Sequence, residues 1–145
     1  MKISTKGRYA LRMLLDLASH PSDEYIALKD IAARQDISKK YLEQIVPVLN
    51  RAGILHTNRG FQGGYRLAVN PEKITVRDIL LLTEGNLSPV DCVAAEENLC
   101  PMKETCPTLG VWTGLDKVIN DYLGGITLQQ LIEQQKDSAA YDYVI

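Results

Sequence analysis

The chain has 145 residues, 16 Lys and Arg against 18 Asp and Glu, and three cysteines. This length fits a single domain, or a small domain with an added dimerisation element. The N-terminus has no apolar run long enough for a signal peptide and no later run could span a bilayer, so we expect a cytoplasmic protein without a membrane partner.

The net charge of −2 conceals an asymmetry along the chain. Residues 1–68 have eleven basic and six acidic side chains, which is +5, whereas residues 69–145 have five and twelve, which is −7. A basic front half suits a polyanion such as DNA, and an acidic second half would be repelled by it. From charge alone, chance segregation in an ordinary globular protein is an alternative.

The first third of the chain predicts three helices. Apolar residues at helical spacing indicate an amphipathic helix over 5–19, a short helix over 28–34, and a third that begins after Ser38 as its N-cap. Two helices joined by a tight connection are the outline of a helix-turn-helix. Because Pro47 lacks a backbone donor, we expect the third helix to bend or fray near Val46.

A small hairpin and a fourth helix follow. Residues 54–58 and 64–68 alternate like two strands around the glycine-rich segment 59–63, which predicts a wing with Arg59 at its tip. A further helix begins near Thr75 and ends at Gly85. The predicted fold class is therefore mainly α with a small β-hairpin, a winged helix-turn-helix.

The last part of the chain predicts an apolar helix that needs a partner. From Leu109 onward, apolar residues recur at steps of three and four as far as Leu123, a wide stripe with little chain left to cover it. A capping box over 127–130 then begins a last short helix.

Cys92, Cys100 and Cys106 lie in one loop, separated by seven and five residues. A flexible loop can bring three thiols onto one metal centre. In a reducing compartment, an odd number of clustered cysteines fits a metal or redox site better than a disulfide framework. A zinc site and a redox thiol cluster are the alternatives.

Candidate DNA contacts gather near the start of the third helix and at the hairpin tip. Gln44 can pair bidentately with adenine, and Glu43 can accept a hydrogen bond from cytosine but would repel phosphate. Arg59 suits a narrow minor groove or a phosphate, and Gly60 permits close approach of the backbone. A solvated helix face is the bland alternative. The full set is Ser38, Lys39, Lys40, Tyr41, Glu43 and Gln44 on the helix, Arg59 and Gly60 on the hairpin, and Lys6, Arg8 and Lys29 for phosphates.

Four motifs together resemble the Rrf-two family of bacterial winged-helix regulators, most of all its IscR-type iron-sulfur members. They are residues 1–10, residues 41–44, Arg59-Gly60 with residues 63–65, and the cysteine loop. The resemblance covers nearly the whole chain. It implies a homodimer on a double-stranded DNA operator, a 2Fe-2S cluster on the three cysteines, and control of iron-sulfur cluster biogenesis genes. The expected organisation is a DNA-binding domain over 1–85, a cluster loop over 86–108, a dimerisation helix with a short capping helix over 109–136, and a flexible tail over 137–145.

The fourth cluster ligand departs from the family pattern. In IscR-type proteins a histidine three residues after the last cysteine is the fourth ligand, and in this chain that position is occupied by Leu109. A nitric-oxide-sensing branch uses an aspartate near the N-terminus of the other subunit, where this chain has Arg8. We expect an oxygen ligand from the loop, with a small thiol or solvent as alternatives. The candidates are Asp91, Glu96, Glu97, Glu104 and Thr108.

The C-terminal residues Tyr141–Ile145 suggest a second function. They resemble the terminal isoleucine peptide with which serine acetyltransferases dock into cysteine synthase, and a cysteine-metabolism repressor of the same family ends similarly. A C-terminus that packs on its own subunit or stays disordered is the alternative. An enzyme is not expected, because the sequence has neither a Gly-rich phosphate loop after a strand nor a nucleophile elbow.

Overall fold

The structure, a computed structural model, describes residues 1–21 and 23–143. Within them it contains a two-stranded antiparallel hairpin and six α-helices, which confirms the predicted fold class. No helix in this part of the chain is long and apolar enough to cross a membrane. The elements are α1 (Thr5–Ala18), α2 (Leu28–Gln35), α3 (Lys39–Arg51), β1 (Leu55–Asn58), β2 (Gly64–Leu67), α4 (Val76–Glu84), α5 (Leu109–Gly124) and α6 (Leu128–Tyr143).

Helix α1 is the centre of the main core. Ser4 caps it by accepting a hydrogen bond from the backbone N–H of Gly7 at 3.1 Å. Its apolar face buries Met13 and Leu14 completely and packs against α2, α3, α4, β2 and α6. The predicted DNA-binding elements thus pack on the apolar face of one amphipathic helix.

The helix-turn-helix forms as the sequence predicted. Asp36 adopts a left-handed conformation (φ 52°) at the end of α2, and Ser38 then accepts a hydrogen bond from the N–H of Tyr41 to start α3. The expected fray near Val46 is wrong, because α3 continues through Pro47 to Arg51. Proline removes only one donor, and apolar residues on both sides of it keep the helix on the core.

The hairpin is attached to the helices by a backbone bridge. Ile26 and Tyr65 exchange two N–H···O hydrogen bonds of 2.8 Å. This pairing brings the backbones so close that a Cβ on Gly64 would lie 2.4 Å from the carbonyl oxygen of Ile26. The glycine therefore permits the wing to dock beside α2.

Helix α6 is longer than predicted. A short helix that ends before residue 137 was expected, but α6 runs unbroken to Tyr143, so the expected end of this helix is wrong over the described residues. The reason is that this segment contains no Gly or Pro after Gly125 and includes good helix formers such as Ala139 and Ala140. Its first turn joins the main core through Leu128.

Candidate nucleic-acid interface and cysteine loop

A cleft of about 510 Å³ lies between the helix-turn-helix and the hairpin. Lys29 of α2, Lys39 of α3 and Arg59 of the hairpin line it, together with Glu43. Glu43 Oε1 lies 3.7 Å from Lys39 Nζ, so the positive charge of Lys39 offsets the negative charge of Glu43. The cleft therefore has a net positive lining, which favours an anionic partner.

The predicted DNA contacts at the start of α3 differ in whether their side chains are available to a partner. Lys40 and Gln44 are exposed and free to reach a partner from the start of the helix. The Ser38 hydroxyl is already an acceptor in the helix cap. Tyr41 is half-buried, and its ring meets the Tyr9 ring edge-on at 5.2 Å between centroids.

Lys6 and Arg8 lie on the first turns of α1, outside the lining of the cleft. Arg8 donates to the hydroxyl of Thr5 at 3.0 Å and is otherwise exposed. Sequence reasoning missed polar residues that do line the cleft, namely Asn50, Thr57 and Asn58. The hydroxyl of Thr57 donates a hydrogen bond to Asn50 Oδ1 at 3.1 Å. No local signal marks Asn50, and the alternation of β1 places Thr57 on the same strand face as the buried Leu55.

The cysteine loop brings two of its three thiols to one cleft. Cys92 and Cys100 line a pocket of about 390 Å³, and Asp91 and Glu97 line it too. Cys106 lies outside this pocket, although all three cysteines are free and partly exposed. Across residues 1–21 and 23–143, no three His, Cys, Asp or Glu side chains are arranged to hold a metal ion.

The surroundings of Cys106 favour its thiolate form. Hydrogen bonds from the hydroxyl and the backbone N–H of Thr108, with a further one from the N–H of Leu109, lower the pKa of the Cys106 thiol despite an opposing effect of burial. Cysteine ligates metals as the thiolate. Leu109, at the position where a histidine would be expected, is the first residue of α5, and its side chain has no atom that can ligate a metal.

Helix α5 connects this loop to an uncovered apolar surface. None of its residues is buried, and one stripe of large apolar side chains is exposed by 41% or more. On another side, Arg77 of α4 donates to Asn120 of α5 at 2.7 Å. The exposed stripe consists of Val111, Leu115, Val118 and Tyr122.

Comparisons with known proteins agree with this arrangement. The profile of the Rrf2 (Rrf-two) family, described as an iron-dependent transcriptional regulator, matches residues 3–134. The chain is 42% identical to Protein rrf2 of Nitratidesulfovibrio vulgaris, over 91% of this chain and 87% of that protein. It is 36% identical to the structure of CymR, the global cysteine regulator of B. subtilis, with a TM-score of 0.75 over 92% of this chain and 98% of that one. It is 37% identical to the structure of T. potens IscR, with a TM-score of 0.76 over 95% and 90%.

Other relatives are named as helix-turn-helix transcriptional regulators, and none of those compared above is named as an enzyme. The prediction of a regulator is thus confirmed. Because the family profile covers most of the 145 residues, this chain belongs to the Rrf2 family of DNA-binding transcriptional regulators.

Proposed function

We propose that this protein is a cytoplasmic transcriptional regulator whose binding to DNA operators is controlled by a 2Fe-2S cluster on Cys92, Cys100 and Cys106. The observation that carries the proposal is that three free, partly exposed thiols occupy one loop that leads directly into α5. A structural role for these thiols is disfavoured, because none of them is buried in the core. The genes it controls would be those of iron-sulfur cluster biogenesis.

The donor set suits such a centre by its chemistry. Thiolates are the usual ligands of iron-sulfur clusters, and Cys106 is biased toward the thiolate. Cys92 and Cys100 already share one pocket, so a movement of the exposed segment around Cys106 would complete the set. When bound, a cluster supplies one-electron redox chemistry and a labile, oxidation-sensitive metal centre.

An oxygen atom is our proposed fourth ligand. Asp91 and Glu97 line the pocket of Cys92 and Cys100, whereas Thr108 lies beside Cys106, with 3.5 Å between its hydroxyl oxygen and Sγ. Oxygen from any of these side chains binds iron less firmly than an imidazole would. A cluster held in this way should be lost readily, which is a useful property for a sensor.

The proposed DNA contacts follow the cleft and the exposed start of α3. Lys40, Glu43 and Gln44 would meet base edges in the major groove, with Lys39 beside them. Arg59 and Gly60 would meet the minor groove or its phosphates, and Lys29 would bind phosphate. Ser38 and Tyr41 would serve chiefly by positioning the helix, and Lys6 and Arg8 would act only if the duplex extends past α1.

We further propose a homodimer formed through α5. The exposed stripe of α5 presents side chains at steps of four, three and four residues, which is one face of a helix. A second copy would bury this stripe, as two facing apolar helices do in many dimers. Two helix-turn-helix units in one dimer would then read two half-sites of an operator.

The coupling between loop and DNA would pass through the start of α5. Residues 91–108 would become ordered when the three cysteines ligate one centre, and α5 would then begin at a defined residue. The hydrogen bond from Arg77 to Asn120 links α5 to α4, and α4 packs on α1. Such a path can shift operator affinity only if the two loop states differ in their packing on these helices.

The test is to purify the protein without oxygen and to measure its visible spectrum, iron and sulfide. We expect broad visible absorption and about two irons per chain, lost in Cys92→Ala and retained in Lys103→Ala, a control in the same loop. Operator affinity at fixed salt should differ between cluster-loaded and cluster-free protein by roughly 5-fold or more. Equal affinities, or a protein that takes up neither iron nor sulfide on reconstitution, would refute the proposal.

A second candidate is a regulator of cysteine metabolism that binds cysteine synthase through its terminal isoleucine. The observation that favours it is the similarity of this chain to CymR of B. subtilis, which is named as the global cysteine regulator of that organism. Ile145 itself lies outside the described residues. Loss of cysteine synthase binding on deletion of Ile145, in protein without iron, would support this function, and unchanged binding would dispose of it.

A further inference from the structure

Phe61 is the most exposed large apolar residue of the described chain. It is 105% exposed and is the single phenylalanine in the sequence. It stands in the middle of the five-residue segment 59–63 that joins β1 to β2. A fully exposed aromatic ring at the extremity of a hairpin contributes nothing to the core and is available to contact a partner.

The backbone around Phe61 forms a defined turn. The N–H of Gly63 donates to the carbonyl of Gly60 at 2.9 Å, and Gly60 has a φ of 119° that favours glycine. A Cβ on Gly63 would lie 2.6 Å from the carbonyl oxygen of Asn58. The hydrogen bond between Gly63 and Gly60 closes the turn, which lowers the ordering cost of presenting the ring to a partner.

The surroundings of Phe61 favour DNA over an apolar partner. Arg59 is two residues away, and Lys29 and Lys39 line the adjoining cleft. The neighbours at the tip are glycines and Gln62, so the apolar contact is limited to a single ring. A single ring near cationic groups is too small for the core of a protein interface, but it matches the apolar wedges that proteins insert between base steps.

We infer that Phe61 is an apolar wedge that inserts between two base pairs in the minor groove beside Arg59 and bends the operator. The inference rests on the proposed placement of the hairpin at DNA. Arg59 would bind the groove electrostatically and the ring would partly unstack one base step. Pyrimidine–purine steps unstack most readily, so Phe61 would select such a step without making a hydrogen bond to it.

The test uses a duplex selected by the full-length protein from a pool with a randomised central segment. Affinity is measured by fluorescence anisotropy, local unstacking by 2-aminopurine placed at each step of the hairpin site, and bending by energy transfer between the duplex ends. The variants are Phe61→Ala, Phe61→Leu, Arg59→Ala and, as a matched control at the same tip, Gln62→Ala. Because Phe61 is fully exposed, its replacement should leave the melting temperature unchanged, which circular dichroism verifies.

We expect Phe61→Ala to weaken binding by roughly 5- to 100-fold, the range of one aromatic stacking contact. The 2-aminopurine signal at one step and the bend should be lost with it, whereas Phe61→Leu should keep part of the bend because leucine is also an effective wedge. Gln62→Ala should change neither. Arg59→Ala should weaken binding and make it less dependent on salt, because the variant lacks a cationic side chain that binds a phosphate or the minor groove.

Two outcomes distinguish a failure of the wedge proposal from a failure of the proposed DNA interface. If Arg59→Ala weakens binding while Phe61→Ala leaves affinity, bend and 2-aminopurine fluorescence unchanged, the wedge is wrong and the interface stands. If neither variant alters binding, or if wild-type protein selects no duplex, the placement of the hairpin at DNA is wrong and the wedge fails with it.

Discussion

Arg34 of α2 binds the buried carboxylate of Asp16 on α1 with two hydrogen bonds, Nη2 to Oδ1 at 2.7 Å and Nε to Oδ2 at 3.0 Å. Gln35 donates a third bond to Oδ2 at 3.0 Å. The Asp16 side chain is only 3% exposed. A charged group taken out of water must be well hydrogen-bonded, and these donors all come from the first helix of the helix-turn-helix. The contact therefore fixes α2 on α1.

Replacement of Asp16 by asparagine should destabilise the fold. The amide keeps the shape but loses the charge, and it places an NH₂ group against the guanidinium of Arg34. We expect a loss of about 2–4 kcal/mol in the free energy of unfolding. Urea denaturation measures it, with Asp30→Asn at an exposed position of α2 as the control. A loss below about 0.5 kcal/mol, the usual range of surface changes, would contradict the structural role of Asp16.

Stability should also fall in acid because of the same residue. Burial alone would raise the pKa of Asp16, but hydrogen bonds from Arg34 and Gln35, with the charges of Arg34 and His20, lower it below the usual value of 3.8. A carboxylate with a lowered pKa stabilises the fold above its unfolded pKa, and this contribution disappears as the pH falls through the folded pKa.

The measurement is the free energy of unfolding of wild type and Asp16→Asn between pH 7 and pH 2. The difference between the two proteins should be constant above about pH 5 and should shrink below about pH 4, where the unfolded carboxylate takes up a proton. A difference that stays the same down to pH 2 would mean that the Asp16 carboxylate does not titrate differently on folding.

Gly64→Ala should loosen the wing. The new Cβ would lie 2.4 Å from the carbonyl oxygen and 2.5 Å from the carbonyl carbon of Ile26, both backbone atoms that cannot turn away. We expect a cost of about 1–3 kcal/mol, and weaker operator binding as the hairpin moves from α2. Gly110→Ala, where a Cβ would meet nothing within 4 Å, is the control and should change stability by less than about 1 kcal/mol. Equal stability of the two variants would mean that the hairpin does not need this close approach.

Val118→Glu should convert a dimer into monomers. Val118 is 63% exposed in the middle of the α5 stripe, so a carboxylate there should not disturb the fold of one chain. In a dimer it would lose its hydration against the apolar face of the second copy, weakening association by roughly 100-fold or more. Sedimentation analysis measures the change, and Lys117→Gln on the neighbouring position serves as the control. An unchanged molecular mass at micromolar concentration would exclude α5 as the interface.

The sequence by itself determined the helices and the hairpin, and it predicted a metal-binding or redox role for the thiols of the loop. These follow from local signals: a 3.6-residue apolar period, the caps at Ser38 and Thr75, alternation around glycines, and clustered thiols. The same kind of signal was misread in two places: a fray was expected at Pro47, and the last helix was expected to end by residue 136. In the first case core packing on both sides outweighed one missing donor, and in the second the absence of Gly and Pro let α6 continue.

Only the tertiary structure decided which of these groups meet. It turned Tyr41 toward Tyr9, placed Asn50 in the basic cleft, and joined Asp16 to Arg34. It also grouped Cys92 with Cys100 and left Cys106 apart. Most of these contacts join residues that are far apart in sequence, and the way whole helices pack decides which of them meet. A local sequence pattern predicts only the face of a helix or strand on which a side chain lies.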